Sequence, residues 1–178
     1  MKSLVRFAVL VLVLASGCMQ AELTQEDAQS FANVLEGGTS SGLSSATGVV
    51  AYVPQGFSST AACSAGGRMG VFGDFSGSID NTTGNGVIFT QITATFTDCD
   101  EGDVVFNGDP YVSATGSMSF SSGQMTSGSV TFRGGFRWDE TGGSGSCQVD
   151  LSLVLQSATS KYSHLSGTVC GYQVEVYR

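Results

Sequence analysis

Ile88-Phe89-Thr90-Gln91-Ile92-Thr93-Ala94-Thr95-Phe96-Thr97 is the stretch on which the reading of the fold turns. Within it Ile88, Ile92, Ala94 and Phe96 alternate with Gln91, Thr93, Thr95 and Thr97. A period of two places alternate side chains on opposite faces of a strand. Half-buried antiparallel strands carry this pattern, one face on a core and one in water, whereas buried parallel strands are apolar throughout.

The same period runs on towards the C-terminus. Val112, Ala114, Met118 and Phe120 alternate with Ser113, Thr115, Ser117 and Ser119. Val130, Phe132, Phe136 and Trp138 alternate with Thr131, Arg133 and Arg137, and Val149, Leu151, Leu153 and Leu155 with Gln148, Asp150 and Ser152. Less regular strands are expected at about 47–53, 57–62 and 68–79. A last one is expected at about 165–177, burying Val174 and Val176 with Cys170 and Tyr172 also pointing inward. Turn-rich pieces separate them: Asn81–Gly86, Asn107–Pro110, Ser121–Gly123 and Thr141–Gly145. Loops this short join neighbouring antiparallel strands. The expected fold is all-β: a single antiparallel meander of about eight or nine strands over 47–178, forming a curved sheet, sandwich or open barrel.

One helix is expected ahead of it. Thr24 can cap, Glu26 and Asp27 fall in the first turn where the helix dipole favours acids, and Ala28, Phe31, Ala32 and Leu35 form one apolar stripe. Gly37-Gly38 supplies a stop, giving a helical segment at 25–38 with its regular part over about 25–36. Residues 39–46, rich in Gly, Ser and Thr, read as a linker. The narrow stripe is most simply buried on the sheet that follows.

Upstream, Lys2 and Arg6 precede nine uninterrupted apolar residues, Phe7 to Ala15. Crossing a bilayer takes about 20, so this run is far too short and reads as the core of a secretory signal peptide, residues 1–17. Its end, Leu14-Ala15-Ser16-Gly17-Cys18, resembles the lipobox of bacterial lipoprotein precursors. The resemblance covers the N-terminus only. The large aliphatic residue usual three places before the cysteine is here Ala15, with Leu14 one place further out. What it implies is diacylglyceryl transfer to the Cys18 thiol, cleavage before Cys18, a third acyl chain on the new amine, and residues 18–24 as a lipidated tether. Two or three chains anchor lastingly where one binds only marginally. The implied location is the bacterial cell envelope, and, since Met19 is not Asp, the outer membrane.

With Cys18 assigned to lipid, Cys63, Cys99, Cys147 and Cys170 remain. An even number in an exported chain favours two disulfides, with three connectivities open to four cysteines. Cys147 is in phase with Val149 and Leu151, and Cys170 with Val174 and Val176, so both face the core from strands adjacent in sequence. That favours Cys147–Cys170 and leaves Cys63–Cys99. Metal binding by these thiols is disfavoured, because no C-x-x-C spacing occurs and His164 is the only histidine.

Without residues 1–17 the chain keeps five basic residues against fifteen acids, a formal net charge of −10 where the full chain has −8. Nucleic-acid binding rests on basic side chains neutralising phosphates, so no nucleic-acid partner is expected. Hydrolytic triads fail on inventory: there is one histidine, His164, expected at a strand start. Ser160-Lys161 has the wrong spacing for a Ser-x-x-Lys pair. Asp74, Asp139, Glu140 and Asp150 could supply the two carboxylates of a glycosidase, but nothing selects a pair. In Asp98-Cys99-Asp100-Glu101-Gly102-Asp103, carboxylates at alternate positions with a Gly turn make Asp98, Asp100 and Asp103 the one Ca2+ candidate. The segment lacks the full Asp-x-Asp-x-Asp-Gly loop and a distal bidentate Glu, so a solvated acidic turn pinned at Cys99 is the expectation. No cofactor is expected. Trp138, Tyr111, Phe136 and Phe132 could form a sugar platform, although alternation places Phe132, Phe136 and Trp138 on one core-facing side. Asn81-Thr82-Thr83 matches a glycosylation sequon, discounted for a bacterial chain.

The expected function is that of a lipid-anchored envelope protein of non-enzymatic binding or assembly type, held to the membrane by its lipid, with an envelope protein or glycan as partner. The alternative is a carrier of a small apolar ligand in a barrel cavity, and after it an envelope hydrolase. A carrier requires an unfilled apolar cavity of about 300 Å³ or more. An enzyme requires convergent carboxylates in a cleft. A binding module requires an exposed aromatic or apolar patch at a loop end or sheet edge.

Overall fold

A computed structural model of the chain describes residues 23–47, 56–108, 111–156 and 163–177. The expected signal peptide, Cys18, most of the tether, Ser160-Lys161 and the strand expected at 47–53, apart from Thr47, lie outside the described residues. Helix α1 is Gln25–Thr47. Nine strands follow: β1 Gly56–Ala62, β2 Gly66–Ile79, β3 Gly86–Asp100, β4 Val104–Asn107, β5 Val112–Ser121, β6 Gln124–Glu140, β7 Gly143–Gln156, β8 Ser163–Val169 and β9 Tyr172–Tyr177. All pair antiparallel in one sheet that follows chain order from β1 to β9.

β4 and β5 share one position, between β3 and β6. Val112 pairs with Ala94, and Phe106 with Cys99, so the chain takes six residue steps from Phe106 to Val112 beside five steps of β3. The hairpin turn expected at Asn107–Pro110, of which Asp109 and Pro110 lie outside the described residues, falls between β4 and β5 on one strand path instead of joining neighbouring strands. Gly108 N–H donates to Phe96 O at 3.0 Å across the break.

Eight strand positions laid flat would span about 34 Å at ordinary strand spacing, whereas one helix is about 10 Å across. Yet α1 packs against β1, β2, β8 and β9, which include both edges. The sheet therefore curls around the helix, open between β1 and β9. Ala28, Phe31, Ala32 and Leu35, the stripe read from the sequence, are all fully buried. Phe31 lies at the centre, its ring stacked on Phe136 (3.9 Å between centroids), edge-on to Phe106 (5.3 Å) and tilted against Phe96 (5.0 Å). The concave face is thus filled with aromatic side chains.

The helix starts as expected. Asp27 N–H donates to Thr24 Oγ1 (3.2 Å) and Thr24 N–H to Asp27 Oδ2 (2.9 Å), a reciprocal cap. It does not stop at Gly37-Gly38, and residues 39–46, expected as a linker, belong to it. Local propensity is overridden by packing. Gly38 lies so close to β2 that a Cβ there would stand 2.6 Å from Met69 Sδ. Glu36 is buried and accepts from Ser40 Oγ (2.6 Å) and Ser163 Oγ (3.0 Å), which ties the helix to β8. Here Gly38 serves close approach instead of termination.

The strand expected over 165–177 is two strands. Cys170 and Gly171 have φ of 53° and 83° and close a two-residue turn between paired Val169 and Tyr172. Positive φ at both central positions is the geometry whose twist suits a tight hairpin. Val174 and Val176 are buried as expected, but Cys170 sits in the turn, not on a core-facing strand position. Its N–H donates to Gln148 O (2.9 Å), which brings it beside Cys147. Cys147 is bonded to Cys170, and Cys63 to Cys99, with Cα–Cα distances of 4.8 and 5.4 Å.

Candidate functional site

The sheet has two distinct ends. At the end where α1 begins lie the β1–β2, β3–β4, β6–β7 and β8–β9 turns and both disulfides. Glu101 ties this end together. Its carboxylate accepts from Ser64 N–H (3.0 Å), Ser64 Oγ (2.8 Å) and, on the helix, Ser30 Oγ (3.4 Å). The neighbouring acids have local tasks as well. Asp98 has φ 46°, and its N–H donates to Asn107 Oδ1 (3.0 Å), while Asp100 Oδ1 accepts from Gly102 N–H (2.7 Å). Among the described residues the side-chain ligand atoms of Asp98, Asp100 and Asp103 do not converge. The one close group, Cys63, Cys99 and Glu101, contains two sulfurs already spent on each other. The acidic turn acts as a clasp between helix and sheet.

The other residues singled out in the sequence are dispersed. Asp74 stands on β2, Asp139 and Glu140 end β6, and Asp150 on β7 meets Arg133 at 3.7 Å with both side chains at least 66% exposed. Such an exposed pair contributes little to stability. Phe132, Phe136 and Trp138 are buried in the core, while Tyr111 is exposed and separate. The Trp138 indole lies over Gly145, where a Cβ would stand 2.9 Å from the ring. His164 stacks on Tyr177, ring centroids 4.3 Å apart and planes 8° apart. Tyr177 donates its hydroxyl proton to Glu175 Oε2 (3.1 Å), and this hydrogen bond raises the phenol's pKa.

The opposite end carries a different surface. Strands β2 and β3 extend to it and join through residues 80–85. On β3 the inward positions are Ile88, Thr90, Ile92, Ala94 and Phe96, so Val87 and Phe89 point outward. Both are well exposed, at 39% and 55%. They flank an open depression of about 740 Å³, lined also by Ser78, Asp80, Asn81 and Asn85.

The floor of this depression is rigidly built. Asp80 Oδ1 accepts from Thr82 N–H (2.8 Å), Thr83 N–H (2.8 Å) and Thr83 Oγ1 (3.1 Å). These bonds hold its pKa below the usual 3.8, the backbone N–H of Thr83 contributing most. Asp80 N–H donates to Asn85 O (2.8 Å) and Gly84 N–H to Asp80 O (2.7 Å). The adjacent β5–β6 turn is joined on: Gly123 N–H donates to Gly84 O (2.9 Å), and Ser122 N–H to Asn85 Oδ1 (3.1 Å). The two turns touch so closely that a Cβ on Gly84 would stand 2.2 Å from Gly123 N.

The sequence contained one signal for this site. Phe89 and Val87 share the strand phase of Gln91, Thr93 and Thr95, the wet face, where an aromatic side chain has no core to reach. No family model, no curated protein and no solved structure matches the chain.

Proposed function

We propose that this chain is a lipid-anchored cell-envelope protein whose β domain works non-enzymatically, by binding. The observation that carries this reading is the outward pair Val87 and Phe89, beside a rigid turn at the end of the sheet remote from the start of α1. An exposed aromatic patch at a loop end is the surface that a binding module needs. The depression is also well placed for display. Cys18 lies five residues before Leu23, so the chain between them spans at most about 18 Å, and the end where α1 begins is kept near the lipid. β2 then carries the depression about 40 Å further along the sheet. The aromatic filling of the concave face by Phe31, Phe96, Phe106 and Phe136 favours surface binding over carriage of an apolar molecule inside.

The anchor and the surface are tested together in cells. Cys18→Ala should lose acylation and leave the detergent phase; unchanged partitioning removes the anchor. Co-purification from solubilised membranes should recover a component with wild type that is lost with Phe89→Ser, whose melting temperature should match wild type because the side chain is exposed. If the same components come down with both, binding at this face is refuted.

A further inference from the structure

We infer that the depression between Asp80 and Phe89 is a carbohydrate subsite that takes neutral pyranose units of an oligosaccharide. The inference rests on the binding reading above and gives that surface a ligand class. A pyranose has a flat face of C–H groups and a rim of hydroxyls that both donate and accept. The depression offers the matching pair of surfaces. Phe89 presents an exposed ring, whose electron-rich face attracts C–H groups, and Val87 extends the apolar strip.

Around it stand a carboxylate, two amides and a hydroxyl, from Asp80, Asn81, Asn85 and Ser78. Asp80 uses Oδ1 for its own turn, while Oδ2 takes no hydrogen bond from the described residues. An ionised carboxylate accepts from hydroxyls more strongly than a neutral acceptor does. Asn85 commits its Oδ1 to Ser122 N–H, and the Asn81 side chain makes no hydrogen bond among the described residues. The linked β2–β3 and β5–β6 turns fix these groups before any ligand arrives, so little ordering cost falls on binding.

Charge selects among ligand classes. The chain's net charge of −8 and the carboxylate in the depression oppose a uronate or phosphorylated glycan. A basic peptide would call for several carboxylates, and among the described residues Asp80 is the only acid lining the depression. A neutral saccharide uses the mixed donors and acceptors as they stand, and the volume lies in the range of small-ligand sites.

The full lipidated protein in detergent micelles can be titrated calorimetrically with chitohexaose, cellohexaose and maltohexaose, with polygalacturonate and penta-lysine as charged comparators. At least one neutral hexasaccharide should bind saturably. Phe89→Ala should weaken it about tenfold, the scale of one lost aromatic contact. Asp80→Asn should weaken it too, and Asn81→Ala, at a side chain that holds no turn, should do so with the fold intact by thermal melting. The inference is overturned if no neutral hexasaccharide binds, if binding survives Phe89→Ala unchanged, or if only a charged comparator binds. Should a Phe89-dependent component still co-purify while no hexasaccharide binds, the ligand class falls and the binding reading stands; should both fail, both fall.

Discussion

Phe31 shows how much can rest on one side chain. It is fully buried and touches three aromatic rings from three strands, so it joins β3, β4 and β6 to the helix. Phe31→Ala should destabilise the domain by about 3–5 kcal/mol, as core phenylalanine truncations do; chemical denaturation will measure this, and a loss under 1 kcal/mol would contradict the packing described. Asp80 shows the opposite regime, an exposed residue with a pH signature. Its folded pKa lies below 3.8, so its stabilising effect is present above that value and fades as pH falls through the lower, folded one. In Asp80→Asn the acid limb of the stability curve should lose this component below about pH 4, while stability near pH 7 falls slightly. Melting curves from pH 2 to 7 for both proteins will show whether the two acid limbs differ.

Among the elements, β9 is an edge strand whose exposure is managed by the helix. An edge strand offers unpaired backbone groups to any other strand. Here the side chains of α1 meet them. Gln29 Nε2 donates to Glu175 O (2.8 Å), its Oε1 accepts from Glu175 N–H (3.3 Å), and Gln25 Nε2 donates to Gln173 O (2.6 Å). One glutamine amide thus takes both hydrogen bonds that a neighbouring strand residue would take. Gln29→Leu should cost about 1–3 kcal/mol and raise concentration-dependent association. Light scattering against concentration tests the second effect, and identical traces would show the edge is guarded by other means.

Legibility differed by element for physical reasons. The strands from β5 to β7 and the stripe of α1 were readable because burial imposes a period on the residue pattern. The second half of α1 was not, since Gly37-Gly38 and the serines after it disfavour helix locally and only contact with β2 and β8 keeps them in it. The Cys170-Gly171 turn was hidden because its strands are short and because Cys170 and Tyr172 extend the phase of Val174 and Val176 back through it, although Leu165 and Val169 lie in the opposite phase. At the candidate site, Phe89 was visible as an aromatic on the wet phase, but its companions Asp80 and Asn85 come from a turn whose shape depends on contact with residues 122–123.

At the scale of the whole molecule, covalent reinforcement is concentrated at one end. Both disulfides lie where α1 begins, and each joins segments close in the sheet but 36 and 23 residues apart in sequence. Replacing Cys147 and Cys170 by Ser should lower stability by about 3 kcal/mol in the chain-entropy account. Non-reducing peptide mapping should show Cys147 linked to Cys170 and Cys63 to Cys99. Because the depression lies at the other end, saccharide affinity of the folded double variant should stay within about twofold of wild type at 25 °C. A larger drop would show that the two ends are coupled.

The clasp of α1 onto β9 also dictates an order of events. Gln25 and Gln29 meet partners 148 and 146 positions later in the chain, so the first helix cannot be completed until the last strand exists. A chain emerging from its N-terminus carries an amphipathic helix that β1 to β8 cover only in part, its β9 side left open. Contacts spanning so much sequence slow folding, because loop closure must precede any gain from pairing. Removing only Tyr172–Tyr177 would therefore do more than shorten a sheet by one strand. It would strip the helix of the segment that seals it, and the truncated chain should accumulate as a collapsed, protease-sensitive species even though eight of nine strands are intact.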